Sequence, residues 1–257
     1  MAIWQYLILA VSVLAGGGVA QYLSSYGAGA EDPRWKASLP LLLSFSGAYL
    51  LSIAAMELMP TVFHDPSLHS GGWLLGGFLL QLILESLSQG VEHGHVHAHD
   101  HAPPSYALSI MLGLGLHAFL EGLPLGTIAQ TAGGLHDHAH AHVHASGDHL
   151  LWGIVLHKIP AAFALSLLLR TSNFTPVFTW LCLLIFAALT PLGALVGAEI
   201  SFNPVWTNRV LALVVGSFLH IGTTIIFEAD GGRAHGISAK KLVVVIVGVL
   251  VAFFTAH

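Results

Sequence analysis

The sequence predicts an all-α membrane protein: a bundle of eight transmembrane helices in one domain over residues 1–257, with both termini extracytoplasmic. Three observations predict it. Hydrophobic residues make up 55% of the chain and charged residues only 8%, where an ordinary soluble domain has about 25% charged residues; mean hydropathy is +0.77. The apolar residues fall into eight runs, each near the roughly 20 residues a helix needs to cross the hydrocarbon layer. Lys and Arg then collect beside alternate connections between those runs.

In order, the runs cover approximately 2–24, 38–62, 72–91, 105–131, 149–170, 174–199, 206–228 and 239–256. Breakers separate them: Glu31-Asp32-Pro33, Asp65-Pro66, Pro103-Pro104, Gly133-Gly134, Asn203-Pro204 and Gly231-Gly232. No linker is long enough to divide domains. The first run has no Lys or Arg before it and so lacks the n-region of a signal peptide; it reads as a retained helix. It holds Gly16, Gly17 and Gly18, and the fourth holds Gly113 and Gly115; small residues let membrane helices approach closely. The second run carries Glu57 near its outer end, followed by Pro60. The third carries Gln81 and Glu85, the latter close enough to its cytoplasmic end to reach headgroups. The seventh carries His220 in mid-membrane and Glu228 at its end.

Arg34, Lys36, Arg170, Arg233, Lys240 and Lys241 lie in or beside odd-numbered connections, and only Arg209 beside an even one. The positive-inside rule therefore makes the odd connections cytoplasmic. The formal charge of −5 comes without a basic patch, which argues against nucleic acid as a partner. A single cysteine, Cys182, excludes an intramolecular disulfide and a Cys-rich metal site.

Ionisable side chains inside the runs carry the chemical signal, because each costs about 2.5–3.5 kcal/mol at the centre of a membrane helix on insertion scales. His117 and Glu121 are four residues apart in the fourth run, so on a helix they share a face. His157 sits at comparable depth in the fifth. If those helices are antiparallel neighbours, two imidazoles and a carboxylate converge, a donor set suited to a divalent transition metal, zinc first. Three prolines, at 124, 160 and 191, lie inside runs. Pro124 frees the carbonyl of Leu120, next to Glu121, and Pro160 that of Leu156, next to His157; paired irregularities at this depth mark a transport site, or else kink the helices for packing. Lys158, Glu57, His220 and Glu228 are expected to modulate the site or line a pathway, though His220 could equally hydrogen-bond a neighbouring helix. No catalytic residue is expected.

Two connections are His-rich. His93, His95, His97, His99 and His101 alternate in the third, within about 92–104, and His136, His138, His140, His142, His144 and His149 crowd the fourth, within about 132–149. Such tracts capture metal on either face, or bind it loosely without serving transport.

Residues 117–122 read His-Ala-x-x-Glu-Gly and residues 157–162 read His-Lys-Ile-Pro-Ala-Ala; Gly77-Phe78 through Glu85 and Gly216-Ser217-Phe218-Leu219 add two further motifs. On these the chain resembles, over nearly its whole length, the ZIP family of zinc- and iron-transporting membrane proteins. That family's fourth helix typically carries His-Asn-x-x-(Glu or Asp)-Gly and its fifth His-x-Ile-Pro-x-Glu. The resemblance implies eight helices, both termini outside, a His-rich third connection, metal as the transported substrate and a family-like homodimer. Many relatives hold two metals. Here the extra donor positions correspond to Ala118, Lys158 and Ala161, and Thr190 stands where some relatives have Glu. The resemblance then implies that one site survives, formed by His117, Glu121 and His157. The ammonium of Lys158 would take the place of the second metal and pair with Glu121; alternatively Lys158, about 100° round the helix from His157, turns away to water or another helix.

The expected activity is movement of divalent transition-metal ions into the cytoplasm across the plasma (inner) membrane, with zinc first and iron, manganese or cadmium as further substrates. Metal ions and membrane lipid are the expected partners. Two rivals stay open. A metal exporter of another fold would show similar His-rich loops, but six-span exporters use Asp-rich intramembrane sites that this chain lacks. An intramembrane zinc hydrolase would use the same three residues to activate water, but the chain has neither His-Glu-x-x-His nor a separate general base. The charge asymmetry makes one prediction: a cysteine placed in the 136–149 segment reacts with an impermeant thiol reagent in intact cells, and one in 93–101 does not. The opposite labelling pattern overturns the orientation.

Overall fold

In a computed structural model of the chain, the described residues are 1–25, 33–91, 103–134, 140–200, 203–227 and 238–255; the side chains of 33–36, 130–134 and 140–146 are not among them. The secondary structure described is entirely helical: α1 (Ile3–Ser25), α2 (Pro33–Ile53), a π-helical turn (Ala54–Leu58), α3 (Met59–Val62), a 3-10 turn (Pro66–Leu68), α4 (Ser70–Ser88), α5 (Pro104–Gly134), α6 (His140–Thr171), α7 (Pro176–Ile200), α8 (Pro204–Phe227) and α9 (Ala239–Thr255). Seven segments are long and apolar enough to cross a membrane, the last being Pro204–Phe227, and the chain is an integral membrane protein. The eighth apolar run forms α9, whose 17 residues fall short of the roughly 20 that span at full thickness. Among the described residues there are therefore seven such helices where the sequence predicts eight.

Local chemistry sets the helix ends. Four helices, α2, α5, α7 and α8, begin on proline, whose missing N–H costs nothing in the first turn. Asn203 caps α8 by accepting from the Val205 amide at 3.0 Å, and Thr175 caps α7 by accepting from Phe178 at 3.2 Å. Asn173, in the left-handed region with φ 63°, closes α6 while the Phe174 amide bonds back to Leu169 at 3.1 Å.

Three local differences from the sequence reading matter. First, α6 starts at His140, so the second His-rich segment is helical from that residue rather than wholly a loop; its Ala/His run has no Gly or Pro before Gly147 to stop a helix. Second, α5 extends to Gly134, so the Gly133-Gly134 breaker lies in the helix's last turn and not beyond it. Third, the second span is interrupted by the π-helical turn at Ala54–Leu58, where the Met59 amide reaches back to the Ala54 carbonyl. Pro60 accounts for it: its ring would collide with the Met56 carbonyl four residues back, and widening the turn relieves the clash. Pro40, Pro124, Pro160 and Pro191 are carried inside continuous helices.

The helices pack most extensively as α5 on α7, α1 on α6, α4 on α8 and α2 on α9. Backbone meets backbone at the first of these contacts. A Cβ on Gly122 would lie 2.8 Å from the Ala194 amide nitrogen, and one on Gly126 2.6 Å from that of Ala198, so only glycine permits the approach. The α4–α8 pair is fixed at the end where both helices begin by Asn208, which donates to the Val62 carbonyl at 2.8 Å and accepts from the Ser70 hydroxyl at 2.6 Å. Arg209, the cation that dissents from the charge rule, lies over the rings of Trp73 (5.4 Å) and Trp206 (4.9 Å); an aromatic clamp at the interface holds it there. Leu75, Leu79, Leu82 and Ile83 of α4 are exposed, as expected of a lipid-facing surface.

This packing predicts opposite outcomes for two glycines. Gly126→Ala should lower the unfolding temperature in detergent, at a cost of about 1–3 kcal/mol for overpacking. Gly76→Ala, with nothing within 4 Å of the added methyl, should leave it unchanged or raise it slightly through helix propensity. Equal effects would show that the α5–α7 contact is looser than described.

Candidate metal centre

α5 presents His117 and Glu121 on one face, and α6 brings His157 opposite them. Each is only 1% exposed, and one donor atom from each lies within 4.8 Å of the others. His117 Nε2 is 2.7 Å from Glu121 Oε1, and the two imidazoles meet edge to face with centroids 6.2 Å apart. Zinc binds N and O at about 2.0–2.2 Å, which sets donors about 3.4 Å apart in a tetrahedron. The His117–Glu121 contact is shorter than that value and the other separations lie within 4.8 Å, so small side-chain rotations would seat an ion on three donors and leave a fourth position open. Among the described residues this is the one cluster of three or more such groups.

A second layer orients the first. Gln81 Oε1 on α4 accepts from the Ser217 hydroxyl of α8 at 2.8 Å and faces His117 Nδ1 at 3.1 Å. An oxygen acceptor at Nδ1 puts the ring proton there and leaves the Nε2 lone pair pointing into the site. Two electron-rich atoms, Nε2 and Oε1, then face each other, an arrangement stabilised by a shared proton or by a cation that both bind.

Lys158 does not turn away to water. It is 1% exposed, its Nζ is 2.6 Å from Glu121 Oε2, and it sits 4.4 Å from the centroid of the Phe186 ring on α7. Desolvating two charges is expensive, and their close contact offsets it. The carboxylate is thus divided, with Oε1 toward His117 and Oε2 held by the ammonium. Ala118 and Ala161 are fully buried small residues. Thr190 donates its hydroxyl to the Ala118 carbonyl at 3.0 Å, tying α7 to α5 one residue from His117.

The remaining candidates separate into two places. Glu57, inside the π-helical turn, meets His149 Nδ1 at 2.7 Å; His149 is eight residues from His157 along α6, about 12 Å. Glu85 pairs with His220, whose ring stands edge-on to Phe78 with centroids 4.8 Å apart, one helical turn beyond Gln81 and Ser217. Neither pair joins the central cluster. Glu228, His93, His95, His97, His99, His101, His136 and His138 lie outside the described residues, as do the side chains of His140, His142 and His144. Sequence reasoning noted Gln81 without giving it a role. The available signal was a carboxamide in mid-membrane, which needs partners. Ser217 was noted only within the Gly216-Ser217-Phe218-Leu219 motif, without a role, and Phe186 carried no signal of its own.

The chain matches the sequence model of the family described as ZIP Zinc transporter over residues 91–256. Zinc transporter ZIP9 of Xenopus tropicalis is 27% identical over 184 residues, 67% of this chain and 57% of that protein. Zinc transporter ZIP9 of Micropogonias undulatus is 24% identical over 198 residues, 69% of this chain and 60% of that one. The chain therefore spans about three fifths of the length of these relatives. The family match takes in α5 to α9, and with them all three residues of the buried cluster: the chain belongs to the ZIP family.

Proposed function

We propose that this chain carries divalent transition-metal ions, zinc foremost, across the plasma (inner) membrane into the cytoplasm through one mononuclear site made by His117, Glu121 and His157. The observation that carries the reading is the convergence of these three donors, each buried, inside the apolar bundle. Family membership and relatives named as zinc transporters support the choice of ion. In this reading α9 is the eighth span, since a helix of about 25 Å crosses with modest local thinning of the bilayer. Both termini are then extracytoplasmic, and two chains pair as a family-like homodimer.

The chain's own residues account for transit rather than storage. Three neutral or singly charged donors replace only part of an ion's hydration shell. Lys158 adds a fixed positive charge beside the site, which neutralises Glu121 and weakens the hold on a dication. Gln81 keeps His117 in the ligating tautomer. No bond chemistry is called for: Glu121 is the cluster's single carboxylate and both its oxygens are engaged, so it is not free to serve as a general base for hydrolysis.

Replacing His117, Glu121 or His157 by Ala should each abolish saturable zinc flux into reconstituted vesicles while the protein still folds and inserts. A site cut to two donors holds a dication poorly and leaves buried polar groups unpaired. Wild-type flux from His157→Ala would sink the reading. Metal stoichiometry tests the role of Lys158: with residues 93–101 and 136–144 deleted and His149 replaced by Ala, the chain should bind one zinc, and Lys158→Ala should lose flux or change metal preference. Two bound equivalents would show that the ammonium does not stand in for a second ion.

A further inference from the structure

We propose that Glu57 and His149 form a second site for the same class of ion, a divalent transition metal, as a transit station between the outer aqueous face and the central cluster. The inference rests on the transport reading above. Glu57 Oε1 and His149 Nδ1 lie 2.7 Å apart, and opening that contact by under an ångström would admit an ion bound at about 2.0–2.2 Å to each, with water completing its shell. The pair is less completely dehydrated than the central cluster: His149 is 18% and Glu57 12% exposed, against 1% for each central donor. It stands on the same helix as His157, about 12 Å away by helical rise. In sequence His149 is the last histidine of the imidazole-rich segment and the one nearest the membrane. An ion passing this way exchanges water for protein donors in two steps instead of one.

Two further observations favour a functional pair over a structural one. Glu57 is held within a π-helical turn, a feature concentrated at functional sites. Moreover, α2 and α6 are already joined one turn deeper, where Gly153 lets the Tyr49 ring and the Leu50 side chain within 3.3 Å of where its Cβ would be. The pair is thus not the sole tie between these helices, and its two donors of metal-ligand type sit where an entering ion must shed water.

The test separates a metal ligand from an ion-pair latch by rescue chemistry in the full-length chain. In zinc flux, Glu57→Gln and His149→Ala should raise KM about tenfold, the low end for disturbing a metal site, with the maximal rate nearly unchanged. His149→Cys, a ligand without positive charge, should restore KM and shift preference toward cadmium, because thiolate is the softer donor. His149→Lys, a cation without a ligand lone pair, should not restore it. Rescue by Lys and not by Cys, or wild-type KM in every variant, overturns the proposal. A second readout is independent of transport. In the His157→Ala background, cadmium added to His149→Cys should give a thiolate-to-cadmium absorption band, weakened by Glu57→Gln; the His157→Ala parent, with only native Cys182, sets the baseline. No band overturns this site. If His157→Ala alone leaves zinc flux intact, the central-site reading fails while the band still decides the outer one.

Discussion

The buried carboxylate of Glu121 is the constraint on which the rest of the structure depends. A carboxylate at this depth persists only with compensating partners, and three surround it: Lys158 on Oε2, His117 on Oε1, and His157 across the cleft. Each comes at a cost to its own helix. Lys158 must be held over Phe186 instead of reaching water. His117 needs Gln81 to settle its tautomer, and Gln81 needs Ser217. One charge thereby draws side chains from α4, α5, α6 and α8 into a single polar chain, with the Phe186 ring of α7 against its ammonium.

That chain tolerates little movement, which explains the packing around it. Gly122 follows Glu121 directly, and the absent Cβ brings the α7 backbone against α5. Thr190 then bonds the Ala118 carbonyl from the same side. Ala118 and Ala161 are buried and offer no donor atoms, and Lys158 sets a fixed positive charge against Glu121. In the proposed reading, the site has one fixed cation built in and room for one that exchanges.

The other ionisable groups within the membrane obey the same rule in a milder form. Glu57 with His149, and Glu85 with His220, are carboxylate–imidazole pairs joining different helices, each more exposed than the central cluster. Glu57, Glu85 and Glu121 each face an imidazole from another residue of the bundle, whereas Glu199 is exposed near the end of α7. Burial deepens from the Glu57–His149 pair to the trio, which is the order in which the proposed route strips an ion of water.

By itself the sequence determined the membrane class, the position of most helices and the three residues of the central cluster. Those follow from local quantities: run length, the four-residue spacing of His117 and Glu121, and the rarity of charge in apolar runs. It also raised the pairing of Lys158 with Glu121, as one of two alternatives. Only the tertiary structure decided between them, because the choice turns on how α5, α6 and α7 are rotated against one another, and backbone contacts at glycine fix that rotation. The partners of Glu57, Glu85 and Gln81 were undetermined for the same reason: each is a long-range meeting of helices separated by dozens of residues. The π-helical turn and the early start of α6 at His140 are subtler. Both are departures from regular spans that apolar run lengths do not register, one forced by Pro60 and the other permitted by a helix-compatible Ala/His stretch.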